Sequence, residues 1–116
     1  MTKIFCDSST REACYVIEGQ EPVITPYPKP VTVNVGEYRS VILALEKAIH
    51  LKLEQVLLLT DSLLVVNQVR GAWKCRKEHL LPLRDRIREL LLFGFDYEAI
   101  VRWVPREENI AGKVLE

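Results

Sequence analysis

The segment Gln55-Val-Leu-Leu-Leu-Thr60 is a short apolar run that ends directly at Asp61 and Ser62. Such a run is typical of a central parallel strand, which is buried on both faces of a sheet. Asp61 or Ser62 can cap a helix that continues to Arg70 and stops at Gly71, because Asp and Ser side chains accept hydrogen bonds from free N–H groups. The segment therefore predicts a strand followed by a helix, with a carboxylate at the corner between them.

The rest of the chain extends this unit into an alternating pattern. Short β-type runs punctuated by turn residues predict three early strands, at residues 3–8, 12–18 and 22–27. Prolines around the third run favour an edge position, since proline cannot donate a ladder hydrogen bond. Apolar stripes at helical spacing predict helices at residues 36–51 and 78–93. A last strand at 97–104 and a short helix at 107–115 complete the order.

The order βββαβααβα predicts an α/β fold. Three consecutive strands favour an antiparallel meander, and the later strands that alternate with helices favour parallel crossovers. We therefore expect a mixed five-stranded sheet, with three antiparallel strands and then parallel crossovers, flanked by helices. The 116 residues are typical of one domain, so residues 1–116 are predicted to be a single domain.

Composition excludes several classes of protein. The chain is 48% hydrophobic and 28% charged, and it has no apolar run of the length that spans a membrane. Its formal net charge of zero argues against a strongly basic nucleic-acid-binding arm, although a local basic patch is compatible with it. The three cysteines lack CxxC spacing and are interpreted as free thiols of a cytoplasmic protein. A monomer is the default expectation.

Three carboxylates lie at the ends of predicted elements. Asp7 ends the first strand, Glu37 lies at the start of a helix for which Asn34 is a plausible N-cap, and Asp61 follows the central strand. Converging carboxylates repel one another, and a divalent ion would relieve that repulsion. Taken singly, Asp61 has an alternative role as an N-cap and Glu37 as a first-turn charge that favours the helix dipole. Together they predict a metal site.

The segments around these carboxylates resemble the type 1 ribonuclease H family. Val33-Asn-Val-Gly-Glu-Tyr38 is similar to the family's Asn-rich turn and Glu-Tyr helix start, and Thr60-Asp-Ser-Leu-Leu-Val-Val-Asn-Gln-Val-Arg-Gly71 to its Asp-Ser segment and following helix. Ala72-Trp-Lys-Cys-Arg76 continues the pattern, and Trp103-Val-Pro-Arg-Glu-Glu-Asn109 resembles the last strand and the turn into the C-terminal helix. The resemblance covers essentially the whole chain.

The resemblance implies a ribonuclease H-like fold and a metal-dependent endonuclease that cuts the RNA strand of RNA–DNA hybrids. In that family acidic residues hold two divalent ions, usually Mg²⁺, for which Mn²⁺ can substitute. By position, Asp7 would bridge both ions, and Glu37 and Asp61 would hold the second ion on the leaving-group side. The catalytic and metal-ligating residues implied are therefore Asp7, Glu37 and Asp61.

One ligand of the family pattern is missing. Where the family carries Asn-x-x-Ala-Asp, this chain has Asn109-Ile-Ala-Gly-Lys113, so Gly112 or Lys113 stands at the fourth carboxylate position. We expect weaker metal binding and slower catalysis as a result. One alternative is a catalytically impaired module that binds hybrid or double-stranded RNA. Another is a structural or protein-interaction domain without nucleic-acid affinity.

A basic stretch follows the Asp-Ser helix. Among its residues, Trp73, Lys74, Arg76 and Lys77 are candidates for gripping a phosphate backbone, although charge runs are usually just solvated helix faces. Asn34 is a candidate for hydrogen bonds to ribose 2′-hydroxyl groups, and Ser8 and Ser62, beside the carboxylates, are also candidates for nucleic-acid contact. Gln68 is predicted to be an exposed helix residue.

Overall fold

The computed structural model describes all residues from 1 to 116, and it has one five-stranded mixed sheet with helices on both faces. The strands are β1 (Thr2–Ser8), β2 (Glu12–Ile17), β3 (Val23–Pro26), β4 (Val56–Thr60) and β5 (Ala99–Trp103). The helices are α1 (Val33–His50), α2 (Leu63–Arg70), α3 (Leu81–Glu89) and α4 (Ile110–Leu115). A π-helical turn, Leu90–Gly94, extends α3, and a 3₁₀ turn, Arg106–Glu108, precedes α4.

The sheet order β3-β2-β1-β4-β5 confirms the predicted topology. β1, β2 and β3 form an antiparallel meander, whereas β4 pairs in parallel with β1 on one side and with β5 on the other. The apolar run at residues 56–60 is thus an inner strand, as predicted. β3, with its flanking prolines, lies at a sheet edge, where a missing N–H donor costs least.

The two faces of the sheet bury different amounts of apolar surface. Alternate residues of a strand point to opposite faces, so Ile4 and Cys6 of β1 join the larger core under α1, α2 and α3. Phe5 points the other way, into a smaller cluster that α4 covers with Ala111 and Leu115. The three cysteines are free thiols.

The structure corrects three predicted helix starts, and the last of them is α4, which begins at Ile110 instead of residue 107 because a 3₁₀ turn precedes it. α1 begins one turn earlier than predicted, and its N-cap is Thr32, whose hydroxyl accepts the Val35 N–H at 3.2 Å, rather than Asn34. Glu37 therefore lies in the second turn of α1 instead of the first. α3 begins at Leu81 instead of residue 78, with Pro82 in its first turn, where the lost N–H donor has no intrahelical partner.

No helix of the chain is both long and apolar enough to cross a lipid bilayer.

Candidate metal centre

Parallel pairing brings Asp7 and Asp61 side by side. Cys6 of β1 lies opposite Thr60 of β4, and the residue that follows each of them in the chain is one of these two carboxylates. β1 and β4 run in the same direction, and both carboxylates therefore stand at the same edge of the sheet. The corner is fixed by α2, because the Ser62 hydroxyl caps that helix by accepting the Val65 N–H at 3.2 Å.

Glu37 reaches the same point from α1. One carboxylate oxygen from each of Asp7, Glu37 and Asp61 lies within 4.8 Å of the other two. Asp7 is 2% exposed and Glu37 is 7% exposed, while the Asp61 side chain is 11% exposed. The structure thus brings together all three of the carboxylates that the sequence pointed to.

The cluster is electrostatically uncompensated on its inner side. Asp7 Oδ1 and Glu37 Oε2 are buried and accept no hydrogen bond. Burial, followed by the charges of Asp7 and Asp61, raises the pKa of Glu37 above its usual range. Burial also raises the pKa of Asp7, and the Asp61 charge adds to that effect, while hydrogen bonds with the Ser8 backbone and the Glu37 side chain and the charge of Arg106 oppose it. Buried unpaired oxygens of this kind are costly unless a cation or a proton meets them.

The donor set fits a hard divalent cation. Three carboxylates offer only oxygen ligands, which is the chemistry that Mg²⁺ and Mn²⁺ select. The two orphaned oxygens point to the same conclusion, because an ion between them would supply the missing partner. No histidine or cysteine belongs to this group of ligands, so a zinc-type site does not fit.

The fourth side of the cluster is formed by α4 and carries no carboxylate. Gly112 is buried against Asp7, and a Cβ atom added to it would stand 3.0 Å from Asp7 Oδ2. Lys113, the next residue, is exposed. Asn109 fastens this helix to β1: its side-chain amide donates to the Cys6 carbonyl at 2.8 Å, and its side-chain oxygen accepts the Ala111 N–H at 3.2 Å. α4 is thus anchored beside Asp7 although its carboxylate is absent.

Two residues outside the predicted site contact Asp61. Arg106 forms an ion pair with it, with 3.4 Å between Nη1 and Oδ2, and the Trp103 indole donates to the Asp61 carbonyl at 3.2 Å. Both residues lie in the Trp-Val-Pro-Arg-Glu segment that carried the family resemblance. The sequence signalled that the segment matters, but nothing in it located the guanidinium at Asp61.

The polar residues predicted to touch nucleic acid have different surroundings. The Ser8 hydroxyl is 2.7 Å from the Ser9 carbonyl and 2.8 Å from the Tyr27 hydroxyl, so it is engaged within the protein. The Ser62 hydroxyl is engaged by its helix. Asn34, which does not cap α1, is exposed on the first turn of that helix. Of the three, Asn34 presents its side chain most openly to solvent.

In the basic stretch, some side chains are paired within the protein and others are exposed without an ionic partner. Arg84 and Arg86 pair with acidic side chains, and Arg88 donates to the carbonyls of Gln68 and Val69. The loop between α2 and α3 carries the exposed side chains that form no ion pair; these are Trp73, Lys74, Arg76 and Lys77.

Gln68 holds this loop in place, and its predicted exposure is wrong. It is 5% exposed, accepts the Tyr38 hydroxyl at 2.6 Å and donates to the Lys74 carbonyl at 3.2 Å. A buried amide with two partners is a fixed structural element, so the loop is tied to the helix that carries Glu37.

Known proteins resemble this chain in sequence and in fold. The family described as reverse transcriptase-like matches residues 5–115. Ribonuclease HI of Halobacterium salinarum is 42% identical over 78 residues, which make up 67% of this chain. The crystal structure of RNase H1 from that halophilic archaeon has a TM-score of 0.86 at 30% identity, covering 98% of this chain and 92% of that one. LC11-RNase H1 in complex with an RNA/DNA hybrid has a TM-score of 0.83 at 23% identity, a likeness of fold, over the whole of both chains.

The curated relatives are longer than this chain. The matching segment spans 38% of the Halobacterium ribonuclease HI and 21% of a bifunctional protein of Mycobacterium tuberculosis that is 39% identical over 80 residues. The likeness therefore concerns one part of each of these proteins.

Proposed function

The chain belongs to the ribonuclease H-like proteins of the reverse transcriptase-like family, and from that premise we propose that it is a metal-dependent endonuclease that hydrolyses the RNA strand of RNA–DNA hybrids. The observation that carries the proposal is the cluster of Asp7, Glu37 and Asp61, whose oxygens lie within 4.8 Å of one another and include two buried atoms without partners. A group of oxygen ligands of this kind is suited to divalent cations.

Asp7, Glu37 and Asp61 would hold Mg²⁺, or Mn²⁺ in its place. Bound divalent ions supply a water nucleophile at neutral pH and neutralise charge at the scissile phosphate. The protein's own part is to keep the carboxylates fixed and partly buried, so that little reorganisation is needed when substrate arrives.

The hybrid would lie across the open edge of the sheet and reach the loop between α2 and α3. Lys74, Arg76 and Lys77 are exposed there without acidic partners, and Trp73 is 47% exposed beside them. Asn34 is exposed on the first turn of α1, three residues before Glu37, and its amide is suited to a ribose 2′-hydroxyl. A structural relative of the same fold was solved in complex with an RNA/DNA hybrid, which supports this class of substrate.

Cleavage of a labelled hybrid in Mg²⁺ and in Mn²⁺ tests the proposal. We expect cutting of the RNA strand, and we expect Asp61→Asn to lower the rate about a hundredfold or more, because it removes a charged ligand. The matched control is Asp96→Asn, an exposed position with a positive φ of 48° that asparagine tolerates equally well. A wild-type protein that leaves the hybrid intact in both metals would contradict the proposal.

The absent carboxylate at Gly112 supports a second candidate, a module that binds hybrid or double-stranded RNA without cutting it. Binding without cleavage, even at high Mn²⁺, would distinguish it from the enzyme. Under both candidates the affinity should fall steeply with salt, and replacing Lys74, Arg76 and Lys77 by alanine should reduce the salt slope by about two to three units. Lys3→Ala, at the other end of β1, is the control. A flat salt titration would indicate a protein-interaction domain instead.

A further inference from the structure

Tyr27 lies in the connection between β3 and α1, outside the carboxylate cluster, and is half-buried. Its hydroxyl donates to the Gly36 carbonyl at 3.2 Å and therefore accepts from the Ser8 hydroxyl at 2.8 Å, because a phenol has only one proton to donate. Ser8 directly follows Asp7, and Gly36 directly precedes Glu37. One phenolic hydroxyl therefore joins the backbone elements that carry the two most buried carboxylates of the site.

The approach of these two elements depends on a missing side chain. A Cβ atom at position 36 would stand 2.4 Å from the Ser8 Oγ and 3.1 Å from the Ser9 carbonyl oxygen. Glycine at this position lets the first turns of α1 come up against the end of β1. The Ser8 side chain fills that space and offers its hydroxyl to Tyr27.

Tyr27 is itself held from three sides, as a fixed anchor must be. Its backbone N–H donates to the Arg11 carbonyl at 2.9 Å, and the Val31 N–H donates to the Thr10 carbonyl at 2.8 Å, so the proline-rich connection is pinned to the β1–β2 turn. The Arg39 guanidinium lies 5.6 Å from the centre of the Tyr27 ring, within the range of a cation–π contact.

The carboxylates that these elements carry repel each other. Asp7 and Glu37 each have one buried oxygen without a partner, and like charges on the two side chains oppose their close approach. Their separation is set by the backbone that presents them. A hydrogen-bonded link across that backbone is therefore placed where it controls the geometry of a metal ligand pair.

We propose that Tyr27 is a positioning residue, which fixes the distance between Asp7 and Glu37 through Ser8 and Gly36 and thereby sets the affinity of the site for divalent cations. The inference rests on the proposed metal-dependent function and names a residue outside the metal ligands that this function needs. Tyr27 touches neither metal nor substrate in this role.

The variant Tyr27→Phe removes the hydroxyl and keeps the ring over which Arg39 lies. Calorimetric titration of the substrate-free protein with Mn²⁺ should show a dissociation constant raised about three- to tenfold, the effect of losing one part-buried hydrogen-bonded link. In hybrid cleavage at fixed Mn²⁺, kcat should fall while KM for the hybrid stays constant. The matched control is Tyr97→Phe, an exposed tyrosine just before β5, at the other end of the sheet.

Ser8→Gly provides a second variant that removes the same link from its other end. If Tyr27 acts through Ser8, both changes break the same connection. The double variant, Tyr27→Phe with Ser8→Gly, should then have about the same Mn²⁺ dissociation constant as the single variant that binds Mn²⁺ less tightly. Additive losses would contradict the proposed route. The second variant also keeps the test decisive should Tyr27→Phe fail to fold.

The outcomes separate this inference from the function on which it rests. A wild-type protein that binds no Mn²⁺ would overturn both. Wild-type binding with an unchanged Mn²⁺ dissociation constant in Tyr27→Phe would overturn the inference alone, and a lowered unfolding temperature in that variant would then assign Tyr27 a purely structural role. Weakened Mn²⁺ binding at constant KM, with Tyr97→Phe unchanged, would establish it.

Discussion

Both sides of the candidate metal centre are held in place by hydrogen bonds, but only one side supplies carboxylates. On the side of β1, α1 and β4, three carboxylates converge within 4.8 Å, and Ser62 and Tyr27 hold the backbone around them. On the side of α4, Asn109 anchors the helix to β1 just as firmly, yet the buried residue that faces Asp7 is Gly112. From this side a single charged side chain forms an ion pair with the cluster: the cation Arg106, in the 3₁₀ turn before α4, pairs with Asp61.

This contrast shows that the placement of an element and the chemistry it delivers are separable. The anchor that positions α4 is an asparagine amide bonded to backbone, and it works whatever residue follows three or four positions later. A helix can therefore keep its place in the fold after its ligand is gone. Whether the remaining three carboxylates suffice is a question of metal affinity, not of folding.

The sharpest test of the contrast is to return a carboxylate to α4. We expect Lys113→Asp to raise Mn²⁺ affinity and hybrid cleavage about tenfold, because Lys113 stands at the Asp position of the Asn-x-x-Ala-Asp pattern and the change replaces a positive charge by a negative one there. Gly112→Asp should fail to do so, since its Cβ would already stand 3.0 Å from Asp7 Oδ2 and leave no room for an ion between the two carboxylates. Gly112→Ala and Lys113→Asn are the controls for bulk and for charge removal, with initial cleavage rates as the measurement.

If Gly112→Asp and Lys113→Asp raised the cleavage rate equally, α4 would have to shift easily relative to β1. Asn109 would then not anchor it firmly. No gain from either would mean that the three-carboxylate side is complete by itself. Either result would remove the contrast between the two sides.

The sequence predicted the parts of this site that depend on local pattern. The apolar run of β4, the stop at Gly71 and the position of Asp61 follow from hydrophobicity and glycine geometry within a few residues, and the structure has them at those places. The start of α1 was misplaced because Val33 and Val35 weaken the helical pattern, so the Thr32 cap went unrecognised.

Apart from the Thr32 cap, the contacts that the sequence did not reveal depend on partners distant in the chain. Gln68 is buried because Tyr38, 30 residues earlier, donates to it. Arg106 meets Asp61 across 45 residues, and Tyr27 meets Ser8 across 19. A polar side chain on a helix or loop looks exposed until its partner is known, so no pattern within a window could have found these contacts.

The unpaired carboxylates that suit a metal ion are also expected to lower the stability of the metal-free protein. The pKa of Glu37 is raised in the folded protein above the value of about 4.3 expected in the unfolded chain. The folded state then binds more protons, so the stability of the metal-free protein falls as pH rises from about 5 to 8. Glu37→Gln should remove this contribution and make the metal-free protein more stable by about 1–2 kcal/mol at pH 8, with little difference near pH 5.

Denaturant unfolding in the presence of a chelator, at both pH values, measures this difference. Glu54→Gln, an exposed change of the same chemistry, is the control and should leave the pH dependence of stability as it is in the wild type. A Glu37→Gln protein that is less stable at pH 8 would mean that the Glu37 carboxylate is satisfied in solution. The carboxylate side would then need no cation.

The smallest expected effect concerns Arg106, the cation that contacts the cluster from the side that lacks a carboxylate. Arg106 is paired with Asp61 at 3.4 Å, but its side chain is 68% exposed, and exposed ion pairs contribute little. A metal must compete with this guanidinium for the Asp61 carboxylate, so Arg106→Gln should tighten Mn²⁺ binding about two- to threefold at low salt. The gain in Mn²⁺ affinity should shrink at 0.5 M salt, where the charge of Arg106 is screened.

Calorimetric titration of both proteins at the two salt concentrations, with Lys3→Gln as control, measures this difference in Mn²⁺ affinity. Weaker Mn²⁺ binding in Arg106→Gln would instead show that Arg106 holds Asp61 in the geometry a metal needs, and both sides of the site would then serve the same end.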